Sequence, residues 1–135
     1  MYKNILIPVI FDQEHDTNAA FLVAKTLAGK GAKVTVMHVM DHVPAYVASQ
    51  IPPDVMAKSR SEVEHKLAEL ARGAEGATTV LAVGNPGRQI VDYAAENGID
   101  CIVLASHKPG LENLLIGSTA YRVVRHAKCA VHVIR

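Results

Sequence analysis

Apolar positions along the chain fall into two alternating rhythms. Ile5 to Ile10 (ILIPVI) is a nearly continuous apolar run, as in a strand covered on both faces, with Pro8 near its end where a missing N–H is tolerable. From about Asp16 to Ala28 the residues Ala20, Val23, Ala24 and Leu27 recur at helical spacing, and Gly29 and Gly31 are the expected stop. KVTVMHVM (33–40) predicts a second strand rich in β-branched residues. The stretch 41–54 holds three prolines and reads as a long loop feeding a helix over about 53–72. Val55, Val63, Leu67 and Leu70 form the expected apolar stripe of that helix. TTVLAV (78–83) predicts a third strand. Asn85-Pro86 has the form of an N-cap and a first-turn proline, opening a helix that carries Ile90, Val91 and Ala94 and stops at Gly98. DCIVLA (100–105) predicts a fourth strand, residues 118–127 a last helix and 129–135 a final strand.

Strict alternation of strand and helix predicts a single α/β domain over 1–135, a doubly wound, five-stranded, mostly parallel sheet with helices on both faces. Such sheets bind ligands beyond the carboxyl ends of their strands, where the strand order reverses. If the first and fourth strands flank that point, the loops after Pro8 and Ala105 meet over one crevice. The final strand, CAVHVIR, is expected at a sheet edge, where unpaired backbone groups tend to be covered.

Composition narrows the classes of function. With 135 residues, half of them hydrophobic and a fifth charged, the chain can build one proper core. A formal charge of +1 argues against a nucleic-acid binder, and no apolar run is long enough to span a membrane. The start shows no signal-peptide pattern, so the cytoplasm is the expected compartment. Cys101 and Cys129 each open an apolar run without C-x-x-C spacing and read as small buried hydrophobes.

Candidate chemistry concentrates in ASHKPGLENLLIGST, residues 105–119. Gly117-Ser118-Thr119 stands where a helix begins, and the unpaired N–H groups and dipole of a helix start suit an anion. Ser118 could equally be a plain helix cap, and Gly117 its turn. Neither G-x-x-x-x-G-K-[ST] nor G-x-G-x-x-G is present, which excludes the two common phosphate loops. Seven histidines raise a metal hypothesis, but His38 and His42 on an extended chain stand roughly 13 Å apart, too far to share an ion. Ser106 and His107 are sequence neighbours that point to opposite sides, so they make no nucleophile–base pair. No catalytic residue and no metal ligand is assigned, and the chain is expected to bind, not to turn over.

The blocks ILIPVI, HVMD, VGNPGRQIVDYAAENGIDCIVLASH and GSTAYRVVRHAKCAVHVIR follow one another in an order and spacing that resemble the universal stress protein family over nearly the whole length. The resemblance implies a small, dimeric, cytoplasmic stress-response protein of a family many of whose members bind ATP or another adenine nucleotide. By position, Pro8 and Val9 would lie beside the adenine with Val39 on its other side, and Leu104 and Ala105 would line the ribose end. Ser106, His107 and Lys108 would follow in the loop, and Gly117, Ser118, Thr119 and Ala120 would hold the phosphates, which Mg²⁺ could accompany. In the family's motif, G-x-x-G-x9-G-[ST], Ala105 and Lys108 replace the first two glycines, and Ile10 stands where binding members carry aspartate. The Lys108 ammonium can address phosphate in place of a glycine's close backbone. The resemblance further implies a homodimer through the last strand, with Val131, His132, Val133 and Ile134 at the interface, or a higher oligomer, and an unknown protein partner. Two other functions stay open: an interaction module that needs no nucleotide, and a slow ATPase.

Overall fold

The computed structural model describes residues 1–11, 17–105 and 117–135. Its strands are β1 (Tyr2–Pro8), β2 (Ala28–Met40), β3 (Thr78–Val83), β4 (Cys101–Ala105) and β5 (Ala130–Ile134). Its helices are α1 (Thr17–Leu27), α2 (Ala45–Ala48), α3 (Pro53–Ala71), α4 (Pro86–Glu96) and α5 (Ser118–His126). The five strands form one sheet in the order β3-β2-β1-β4-β5, every pairing parallel.

The strand order reverses between β1 and β4, so the first and fourth strands do flank the switch point. Being central, β1 is covered on both sides, and Ile5, Leu6 and Ile7 are fully buried. Side chains alternate between two cores. Ile5, Ile7, Val36 and Val103 pack under α1 and α3 with Ala20, Phe21, Ala24 and Leu67. Leu6, Met37, Ile102 and Leu104 pack under α4 and α5 with Ile90, Ala94, Ala120 and Val123. Each fully buried aliphatic side chain contributes about 1.5–3 kcal/mol, so the middle of β1, β2 and β4 is the best-anchored part of the sheet.

The amino end of that pair is latched by polar groups. The Asp100 carboxylate accepts from the N–H groups of Lys3 (2.9 Å) and Asn4 (3.0 Å), and Asn4 Nδ2 donates to the carbonyls of Asn97 and Gly98. Gly98, at φ 64°, supplies the left-handed turn that brings α4 down to this latch.

Several boundaries differ from the sequence expectation. The first strand starts at Tyr2 and ends at Pro8, because the latch adds polar residues at one end while Val9 and Ile10 leave the sheet at the other. Helix α1 ends at Leu27, and β2 begins at Ala28, which pairs with Tyr2 before a register shift to Asn4–Lys33. The loop expected over 41–54 contains the short α2. Val55 is 52 % exposed and does not belong to the buried stripe of α3, whose buried residues are Leu67 and Ala71. A 19-residue helix is about 28 Å long whereas a six-residue strand spans about 20 Å, so the first turns of α3 overhang the sheet.

Candidate functional site

The crevice at the carboxyl edge is shaped by how β1 ends. Val9 donates its N–H to the Met37 carbonyl (2.8 Å), the last backbone bond between the two strands. Its carbonyl accepts from His38 Nδ1 (2.9 Å), and the Phe11 ring lies 4.3 Å from the His38 ring at an interplanar angle of 41°. Since a carbonyl only accepts, Nδ1 carries the proton. Both backbone groups of Val9 are therefore committed, and its side chain is buried in the core under α1 and α3.

Val39 is placed differently. In a parallel ladder alternate residues of a central strand bond to alternate neighbours. Met37 bonds toward β1, and Met40 bonds toward β3 by accepting from Gly84 N–H (2.9 Å). The N–H and C=O of Val39 consequently point over the end of β1, where no backbone bond from Val39 to Val9 or beyond forms among the described residues. The Val39 side chain packs against the opposite core, with Leu104. Val9 and Val39 thus reach the crevice from opposite faces of the sheet, and Val39 carries its open polar groups. Pro8 and Ala105 are half-buried at the strand ends, and Leu104 is buried. Ile10 is 48 % exposed and offers no side-chain hydrogen bond in the aspartate's place.

The other end of the site is the start of α5. Gly117 is the N-cap (φ −57°, ψ 153°), no side chain among the described residues caps the helix, and the first intrahelical bond runs from Tyr121 N–H to the Gly117 carbonyl (2.9 Å). Ser118 is therefore the first helical residue and not the cap. Its N–H and those of Thr119 and Ala120 have no intrahelical acceptor. The Ser118 side chain is exposed and Thr119 half-buried, whereas the Ala120 methyl is in the core, so Ala120 offers only its N–H. Ser106, His107 and Lys108 lie outside the described residues.

A groove of about 330 Å³ runs between the starts of α4 and α5 and along α5, lined among others by Asn85, Gly87, Ser118, Thr119, Arg122 and Arg125. A Cβ on Gly87 would fall 2.8 Å from Arg122 Cδ, so glycine is what lets the arginine stem lie against α4. Neither Arg122 nor Arg125 forms an ion pair among the described residues; the nearby Arg88 faces Asp92 at 3.8 Å. Sequence reading passed over both arginines and the His38–Val9 bond. The arginines could have been found by counting four and seven residues on from Ser118 along one helix face.

The described residues hold no group of three His, Cys, Asp or Glu able to bind a metal, and His42 lies beyond the end of β2. Cys101 faces the α1–α3 core and Cys129 the α4–α5 core, so they sit on opposite sides of the sheet. Burial, and secondarily the neighbouring Cys129 and Asp100, push the Cys101 thiol up to about 11; burial also raises Cys129. Both remain protonated, unreactive thiols at neutral pH. In β5, an edge strand, Val131 and Val133 pack partly on the α4–α5 core, Ile134 packs on the other core, and His132 is exposed.

Known proteins share this fold. A universal stress protein of Methanothermobacter thermautotrophicus is 26 % identical over 146 residues, covering 100 % of this chain and 97 % of its own. The structure of universal stress protein UspA from Lactobacillus plantarum superposes with a TM-score of 0.67 at 34 % identity, covering 99 % of this chain and 98 % of that one. More distant universal stress proteins have been solved with adenine nucleotides: one with cAMP (19 % identity, TM-score 0.66), one from Archaeoglobus fulgidus with dAMP (18 %, 0.66) and one from Arabidopsis thaliana with AMP (17 %, 0.61). Each covers at least 98 % of this chain and itself over 90 % or more, and at these identities the likeness establishes the fold. The model of the universal stress protein family matches residues 1–135, and the chain belongs to that family.

Proposed function

We propose that the protein is a regulatory, non-catalytic binder of an adenine nucleotide. The observation that carries this reading is the pairing, at one crevice, of two sets of open backbone groups. The Val39 N–H and C=O form a donor–acceptor pair suited to an adenine edge, whose ring nitrogen accepts and whose amino group donates. The uncapped start of α5, with the Ser118 and Thr119 hydroxyls beside it, suits the phosphates. Arg122 and Arg125 add positive potential to the groove leading away from that helix start. Adenine nucleotides bound to distant members of the family support the same reading. Binding reshapes the carboxyl edge, and that surface is what a protein partner in the cytoplasm reads.

Isothermal titration of ATP into the wild type, Ser118→Ala and Lys108→Ala tests the assignment. Each substitution is expected to weaken binding about three- to tenfold, the equivalent of one hydrogen bond. Undiminished binding in both overturns the phosphate end, and no binding in the wild type favours the nucleotide-independent interaction module.

The exposed edge of β5 favours a homodimer in which two such strands pair about a two-fold axis. Light scattering is expected to give twice the chain mass for the wild type and the single mass for Val133→Lys.

A further inference from the structure

We propose that His38 is a positioning residue for base recognition: by taking the Val9 carbonyl, it keeps the Val39 N–H open for the ligand. This rests on the nucleotide reading of the crevice. The parallel ladder between β1 and β2 advances through Pro8–Met37 and then through Val9 N–H to the Met37 carbonyl. The next bond in that series would run from Val39 N–H to the Val9 carbonyl. It does not form; the carbonyl accepts from His38 Nδ1 at 2.9 Å instead. A side chain has replaced a backbone donor at the point where the strands part.

Two features hold the imidazole to this task. The Phe11 ring, 4.3 Å away, packs against it, and both residues sit on the α1–α3 side of the sheet. The bond itself fixes the protonated nitrogen: Nδ1 donates in the neutral Nδ1–H tautomer and in the imidazolium alike. Without that donor, Val9 would have an unsatisfied carbonyl beside a free Val39 N–H, and the two would close the ladder by one more bond. The crevice would then lose its base donor to the sheet. His38 touches neither base nor phosphate in this scheme; it acts by deciding which acceptor Val39 does not meet.

The test uses two variants that divide the ring from the donor. His38→Phe keeps an aromatic ring against Phe11 and removes the donor. His38→Asn removes the ring and keeps an N–H at the reach of Nδ1. Affinity for ATP and for inorganic tripolyphosphate is measured by calorimetry, and exchange of the Val39 amide proton by NMR in the ligand-free proteins. His38→Phe is expected to bind ATP about three- to tenfold more weakly, to bind tripolyphosphate as the wild type does, and to show slowed Val39 exchange. His38→Asn is expected to match the wild type in all three. ATP binding undiminished in His38→Phe, or lost in His38→Asn, overturns the role. If the wild type binds no adenine nucleotide, the reading of the crevice fails by itself. Val39 exchange unchanged in His38→Phe overturns the His38 assignment independently, and should that variant not fold, ATP affinity in His38→Asn decides.

Discussion

Two helices start side by side on the same face of the sheet, and they treat their first backbone donors in opposite ways. At α4, Pro86 brings no N–H, Asn85 Oδ1 accepts from Arg88 N–H (3.0 Å), and only Gly87 is left without an acceptor in the first turn. At α5, a glycine stands at the cap and three consecutive N–H groups have no acceptor among the described residues. One start is closed by its own sequence; the other leaves its donors to whatever binds there. The difference resides in a few residues, N-P-G-R against G-S-T-A, and not in the fold, which carries both helices in equivalent positions. A helix dipole is therefore a poor predictor of an anion site unless the cap is known as well.

Closing the open start should have the largest effect. Gly117→Asp is compatible with the extended backbone there and places a carboxylate cap on α5. Calorimetry is expected to show ATP binding weakened by about ten- to a hundredfold, as charge-assisted bonds are replaced by repulsion, with the melting temperature unchanged or slightly higher. Opening the closed start is the reciprocal experiment. Asn85→Ala should cost about 1 kcal/mol, read as a melting temperature lower by about 3–6 °C, while ATP affinity stays the same because Pro86 leaves α4 short of donors. A fall in affinity equal to that of Gly117→Asp would show that the two starts act as one site.

The smallest effect concerns a residue away from both helix starts, and it limits the pH at which they can be compared. The Cys101 thiol is raised from 9.0 to about 11 in the folded state. Below pH 9 both folded and unfolded chains keep the proton; as pH rises from 9 towards 11 the unfolded chain alone releases it, so stability falls through that window. Urea midpoints at pH 8 and 10.5 should therefore drop less in Cys101→Val than in the wild type.

Side-chain pattern revealed much of the fold and rather little of the site, for a physical reason. Continuous apolar runs mark the strands that are covered on both faces, so ILIPVI and DCIVLA stand out, and the edge position expected for the last strand is the one observed. Pattern failed where tertiary geometry overrides it: Val9 and Ile10 are as apolar as Ile7, yet the chain has already left the sheet. Val55 has the spacing of a core residue, but its turn of helix extends past the strands. The proposed site is built largely from backbone groups, at Val39 and at the first three residues of α5, and every residue type but proline carries the same backbone. What distinguishes these positions is which partners are missing, a property of the assembled sheet. GST at the helix start was legible because glycine at a cap leaves a trace in the sequence. The bond from His38 was not, because it joins residues 29 positions apart.

One strand, seven residues long, has its root in the Asp100 latch and its tip at the crevice. Genetically, that splits its neighbourhood into two kinds of allele. Changes at Asn4 or Asp100 remove the bonds that tie β1 to the α4–β4 turn, and cells carrying them should lose the protein. Changes at the exposed Ile10, beyond the buried Val9, should leave the protein at full abundance and act only on the proposed binding. A screen that scores protein level and stress survival separately would sort the alleles by their distance along a single strand.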